Sequence, residues 1–141
     1  MGATNPIVIP LGASAMSSEP TAHFRWLIDE DVSVAEVVSV ELNQPRFADE
    51  LSGQLESLLE PGSPDRVLID FRSTKYMSST AFGVLVEFVK LARERGVQVA
   101  ICGMTGALRV GADILSLGRM IPMYPDQASA LAYLRPGGKI V

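Results

Sequence analysis

The spacing of apolar residues changes along the chain, and each change predicts an element. From Phe24 to Ile28 apolar and polar positions partly alternate around two aromatics, which predicts a strand. Val34 to Leu42 reads Val-Ala-Glu-Val-Val-Ser-Val-Glu-Leu, β-branched and half alternating, and predicts a second strand. Asp29-Glu30-Asp31 is a polar turn between them, so the two are expected to pair antiparallel. The period then lengthens. Phe47, Leu51, Leu55 and Leu58 recur at helical spacing, with Asp49, Glu50, Gln54 and Glu56 on the other side. Pro45 suits the first turn of that helix, capped by Asn43 or Gln44, and Pro61-Gly62-Ser63-Pro64 ends it.

Arg66 to Phe71 is a short run apolar on both faces, as a central parallel strand should be. Ser79 to Arg95 predicts a second helix with a buried stripe of Phe82, Leu85, Val86, Val89 and Ala92, stopped by Gly96. Val97 to Cys102 is the next strand. Thr105 to Leu117 is expected to be a third helix, weakened by Gly106 and Gly111 and ended by Gly118. Met120 to Met123 predicts a last short strand, and Asp126 to Leu134 a final helix capped near Pro125-Asp126. Two strands followed by alternating helices and strands give an α/β fold. One mostly parallel sheet, an antiparallel N-terminal strand and right-handed crossovers are expected.

The chain has 141 residues, 48% of them hydrophobic, enough for one compact domain with a sizeable core. Residues 1–21 are rich in Ala, Ser, Gly and Pro and are expected to form a flexible extension, or at most a short edge strand at Ile7 to Leu11. The domain is expected over 22–135, and 136–141 as a tail. A net charge of −4 disfavours nucleic acid and anionic membrane surfaces as partners. No apolar run approaches the ~20 residues that span a bilayer, and the N-terminus lacks the pattern of a secretory signal, so a cytoplasmic protein is expected. Cys102 is the only cysteine, which excludes an internal disulfide and a zinc site built on several thiolates. No metal or cofactor is expected.

Several chemistries fail on their residues. The one histidine, His23, lies far upstream near the first expected strand, and the chain has no Gly-x-Ser-x-Gly elbow, which argues against a Ser-His-Asp hydrolase. The glycines from Gly103 to Gly111 lack both the Gly-Lys-Ser/Thr ending and the Gly-x-Gly-x-x-Gly spacing of nucleotide loops. Asp70 ends a strand, as a phosphorylatable receiver Asp would, but without a well-placed acidic pair it is better read as satisfying loop N–H groups. Cys102 reads as a small buried hydrophobe.

What remains is the junction after the central strand. Tyr76-Met77-Ser78-Ser79-Thr80-Ala81-Phe82-Gly83-Val84-Leu85 puts three hydroxyls where a helix begins, and unpaired backbone N–H groups there favour negative charge. A phosphate could be bound at this point or attached to it. Tyr76 could offer one face to a flavin, though no aromatic sandwich to hold its ring is evident nearby.

This run resembles the signature of STAS domains, the anti-sigma factor antagonists, whose usual form is a hydrophobic pair followed by Asp-Ser-Ser-Gly-Leu-Gly-Val-Leu. The likeness continues through Leu91-Ala92-Arg93-Glu94-Arg95-Gly96, Ile101-Cys102-Gly103-Met104 and Leu117-Gly118-Arg119-Met120-Ile121-Pro122-Met123-Tyr124-Pro125, in register over roughly residues 34 to 134. The resemblance implies a β-α succession with strands adjacent in chain order. It also implies a non-catalytic module that binds an anti-sigma factor doubling as a serine kinase with an ATP-binding fold. In the family the second Ser of the signature is phosphorylated, and a phosphatase would reverse the modification. Aligning Gly83 with the second Gly of the signature puts Thr80 on the phosphorylated position and Ser79 on the first Ser. Ser78 then replaces the Asp, and Ala81 the first Gly. The partner-binding surface implied is Met77, Ser78, Ser79, Thr80, Ala81 and Phe82. Two other readings use the same helix start: a module that binds phosphate or a small ligand, and an unmodified scaffold.

Overall fold

The computed structural model describes residues 24–29, 31–42 and 47–134. The expected N-terminal extension, the Ile7 to Leu11 strand, His23, the Pro45 helix start with its Asn43 or Gln44 cap, and the tail after Leu134 all lie outside these residues. Eleven elements follow in order: β1 (Phe24–Asp29), β2 (Val32–Val37), β3 (Glu41–Leu42), α1 (Phe47–Glu56), β4 (Arg66–Asp70), β5 (Tyr76–Met77), α2 (Ser79–Glu94), β6 (Gln98–Cys102), α3 (Gly106–Ile114), β7 (Met123–Tyr124) and α4 (Gln127–Leu134). Short 3-10 turns follow α1 and α3, at Ser57–Leu59 and Leu117–Arg119.

The main sheet has the order β1-β2-β4-β6-β7. Its first pair is antiparallel and the rest are parallel, so the expected mixed α/β sheet is present in chain order. The strand period of two divides the core in two. Ala35, Val37, Val67, Ile69, Val99 and Ile101 face Leu51 and Leu55 of α1, Phe82 and Leu85 of α2, and Leu108 of α3. Val32, Val34, Leu68, Ala100 and Cys102 face Ala130, Leu131 and Leu134 of α4. Central strands with an apolar residue at nearly every position need both covers. Each fully buried Val, Leu or Ile stabilises by roughly 1.5–3 kcal/mol.

The structure corrects several boundaries. The expected strand Val34 to Leu42 is two strands in different sheets, because β2 ends at Val37 and β3 pairs with β5 instead. The buried stripe of α2 includes Ala81 and Phe88, while Val86 is only half-buried. The third helix stops at Ile114 rather than Leu117. Ser116 takes a left-handed conformation (φ 56°), which turns the chain so that Leu117 is fully buried. Gly118 lies inside the 3-10 turn that follows rather than ending a helix. The last strand starts at Met123, not Met120.

Candidate functional site

The chain leaves β4 at the carboxyl end of the sheet, where α/β folds place their sites. Five residues, Phe71 to Lys75, carry it to β5. The loop is fixed by hydrogen bonds to the segment after β2. The buried Thr74 Oγ1 donates to the Ser39 carbonyl (2.9 Å), and the Lys75 N–H to the Val40 carbonyl (2.7 Å). β3 then pairs with β5 in parallel, Glu41 opposite Tyr76 and Leu42 opposite Met77. The Ser78 N–H donates to the Leu42 carbonyl (3.0 Å), so the residue that starts the helix is tied to a neighbouring strand.

Ser78 is the N-cap of α2. Its backbone is extended (φ −72°, ψ 166°), and its hydroxyl accepts from the Ala81 N–H at 3.1 Å. The first helical bond runs from the Phe82 N–H to the Ser78 carbonyl. The Ser79 and Thr80 N–H groups precede it and belong to the unpaired set of a helix start. No acidic residue occupies the first turn, so the positive end of the helix dipole is not offset by its own side chains.

The six expected surface residues divide by depth. The side chains of Met77, Ala81 and Phe82 are buried, and they support the turn from the core. Ser78 is half-buried, and Ser79 and Thr80 are exposed. Tyr76 beside them is 47% exposed. The Phe82 ring meets α3 at Gly111, where an added Cβ would stand 3.0 Å from the ring, so the glycine permits the close approach of that helix. α3 carries Val110 and Ile114, which are 58% and 75% exposed. Sequence reasoning missed the carbonyls of Ser39, Val40 and Leu42. They act through the backbone and leave no side-chain signal.

Asp70 behaves as its position suggested. One carboxylate oxygen accepts from the Arg72 N–H (2.8 Å), and the other from the Gln127 side-chain amide (2.7 Å). The same amide nitrogen donates to Glu36 (2.7 Å), linking α4 to β2 and β4. Gly103 packs against this loop with φ +83°, and an added Cβ would lie 2.8 Å from both the Arg72 nitrogen and an Asp70 carboxylate oxygen. Cys102 is buried beside Asp70. Burial first, then the nearby carboxylate, pushes its thiol far above the ordinary range, which makes it a poor nucleophile. Among the described residues no group of His, Cys, Asp and Glu could hold a metal ion, and no helix is long and apolar enough to cross a membrane.

Comparison with known proteins agrees with this arrangement. The STAS domain profile matches residues 45–130. The anti-sigma F factor antagonist of Paenibacillus polymyxa is 21% identical over 81 residues, 57% of this chain and 69% of that protein. Among solved structures, an anti-sigma factor antagonist from Mycobacterium paratuberculosis superposes with a TM-score of 0.71 at 19% identity, covering 80% of this chain and 93% of that one. The Bacillus cell fate determinant SpoIIAA, in its phosphorylated form, gives a TM-score of 0.62 at 13% identity, covering 79% and 99%. With a profile match over more than half its length, and the sheet order and helix-start geometry described above, the chain belongs to the STAS domain family.

Proposed function

We propose that this STAS protein is a non-catalytic anti-sigma factor antagonist. Its partner is an anti-sigma factor of serine-kinase type with an ATP-binding fold, and phosphorylation of Thr80 switches the association off. One observation carries this reading. Ser78 already caps α2, so the exposed Thr80 hydroxyl two residues on is not required to close the helix and can accept a phosphoryl group. Ser79 is also exposed and is the second candidate. The likeness to SpoIIAA, solved in a phosphorylated form, supports control by phosphorylation without naming the residue.

The energetics favour a switch without refolding. A phosphate adds about −1.5 to −2 charge. The host tolerates it, because the dipole at a helix start stabilises an anion by ~0.3–1 kcal/mol. A partner surface shaped for a nearly neutral turn does not tolerate it. A loss of ~3 kcal/mol in the complex weakens binding roughly a hundredfold. The neutral surface comprises Ser79, Thr80 and Tyr76, together with the helix that bears exposed Val110 and Ile114, while Met77, Ala81 and Phe82 fix its shape from beneath.

Incubation with the cognate kinase and ATP is expected to add one phosphate at Thr80, read by intact mass and peptide mapping, and a phosphatase to remove it. Thr80→Glu should weaken capture of the partner roughly a hundredfold, the same ~3 kcal/mol. A Thr80→Ala protein modified to the same extent would remove the residue assignment. Unchanged binding by Thr80→Glu would remove the surface and favour an unmodified scaffold. Tight calorimetric binding of phosphate esters to the unmodified protein would favour a ligand-binding module.

A further inference from the structure

The strand β6 is paired along its whole length by β4 but only in part by β7, which reaches Ile101 and Cys102 and no lower. The Gln98 N–H bonds toward β4 at Asp65, whereas the Ile101 and Gly103 N–H groups bond toward β7, at Pro122 and Tyr124. By this alternation the Val99 N–H and C=O point to the β7 side, below the last paired residue. Among the described residues nothing pairs with them there. The chain before β7 cannot continue the ladder. Pro122 has no N–H to give, and the Met120 carbonyl is turned to the Arg93 guanidinium at 2.7 Å.

This open stretch is the floor of a groove of about 410 Å³, lined by Val89, Arg93, Val97, Val99, Pro122 and Tyr133. The two walls differ. Val99 shares the α2 side with Val89, and Arg93 stands one turn further along α2. Tyr133 packs on the α4 side, the face of Ala100. Arg93 is the one charged residue of the lining, and no carboxylate among the described residues pairs with it. Its bond to Met120 uses one terminal nitrogen of a group with five N–H donors. An unpaired strand edge accepts an extended chain, whose side chains then alternate between the two walls. The wall that carries Val89 and Arg93 fits an apolar side chain beside an acidic one.

We propose that this edge is a second docking site, for an extended segment of a partner protein that carries an apolar residue and, two positions away, an acidic one. The segment adds to β6 as a short strand. Its backbone takes both bonds of Val99, its apolar side chain lies against Val89, and its carboxylate meets the Arg93 guanidinium. The residue between them faces Tyr133. The groove lies roughly 20 Å along α2 from Thr80, so the site stands independently of the phosphorylation switch.

The test is amide NMR on the full chain with a blocked peptide, acetyl-Asp-Thr-Val-Thr-Asp-amide, whose pattern is the same in either strand direction. In the free protein the Val99 amide is expected to exchange faster than that of Ile101, which β7 pairs. The peptide, with a Kd of about 1 mM, shifts the Val89, Arg93 and Val99 amides. At saturation Val99 exchange slows at least about tenfold, while the Ala100 amide, on the β4 side, is unchanged. Acetyl-Lys-Thr-Val-Thr-Lys-amide, read at Val99, binds about tenfold more weakly, and Arg93→Gln brings the two peptides to within about twofold of each other. No shift at Val99, unchanged Val99 exchange at saturation, or equal binding of the two peptides to the parent overturns the proposal. A Val99 amide already as protected as Ile101 in the free protein also overturns it. Protection that is constant with protein concentration assigns the edge to this chain itself, and protection that rises with concentration assigns it to a second copy.

Discussion

Replacing Ser78 tests the division of labour at the head of α2. The Ser78 hydroxyl satisfies the Ala81 N–H at 3.1 Å, whereas its backbone N–H holds the Leu42 carbonyl. Ser78→Ala therefore removes the cap and leaves the β3-β5 link in place. Loss of an N-cap costs about 1 kcal/mol, within a range of roughly 0.5–2. With a urea dependence of about 1–3 kcal/mol per molar, the unfolding midpoint falls by roughly 0.3–1 M. Ser78→Asp, which restores the residue usual in the family signature, caps as well as Ser. It also adds a charge that the dipole stabilises by ~0.3–1 kcal/mol, so its midpoint equals or exceeds that of the parent. Thr80→Ala, at an exposed position that does not cap, stays within about 0.5 kcal/mol. Urea unfolding followed by circular dichroism reads all three. A Ser78→Ala midpoint equal to the parent's, or a Thr80→Ala protein destabilised as much as Ser78→Ala, would refute the assignment of cap to one residue and acceptor to the other.

Two further expectations follow from the loop and the last helix. Gly103→Ala forces a Cβ to within 2.8 Å of the Arg72 nitrogen at a backbone φ of +83°, and should lower stability by about 1–3 kcal/mol or more in the same unfolding assay. A midpoint within error of the parent would mean that this approach is relaxed at little cost. The Asp126 carboxyl is held below its ordinary value of 3.8, first by the Ser129 N–H and then by the Ser129 hydroxyl. Its contribution is present in full above that ordinary value and is lost as the pH falls through the lower folded value. The stability gap between the parent and Asp126→Asn should therefore narrow as pH drops from about 5 to about 2. A gap constant with pH would remove the carboxylate from the cap.

Much of the fold was legible because apolar period and length distinguish helices from strands. Arg66 to Phe71, Ser79 to Arg95 and Val97 to Cys102 matched their elements to within a residue. The helix-start site was legible for a related reason. Hydroxyls between a buried strand and an amphipathic stripe have few other uses. The split of Val34 to Leu42 was not legible, since two residues of β3 have no period and continue the β-branched run of β2. Nor was the end of α3. Nothing local announces that Ser116 turns left-handed. The need to bury Leu117 decides it.

The sequence by itself determined the element types, the two-faced character of the central strands and the location of the hydroxyl turn, because these depend on local period and composition. Tertiary structure decided which hydroxyl caps and which is free, since that depends on how the Leu42 carbonyl positions Ser78. It also decided that Met77, Ala81 and Phe82 point inward. Their direction is set by packing against α3 and the sheet, contacts between residues far apart in the chain that no local pattern encodes.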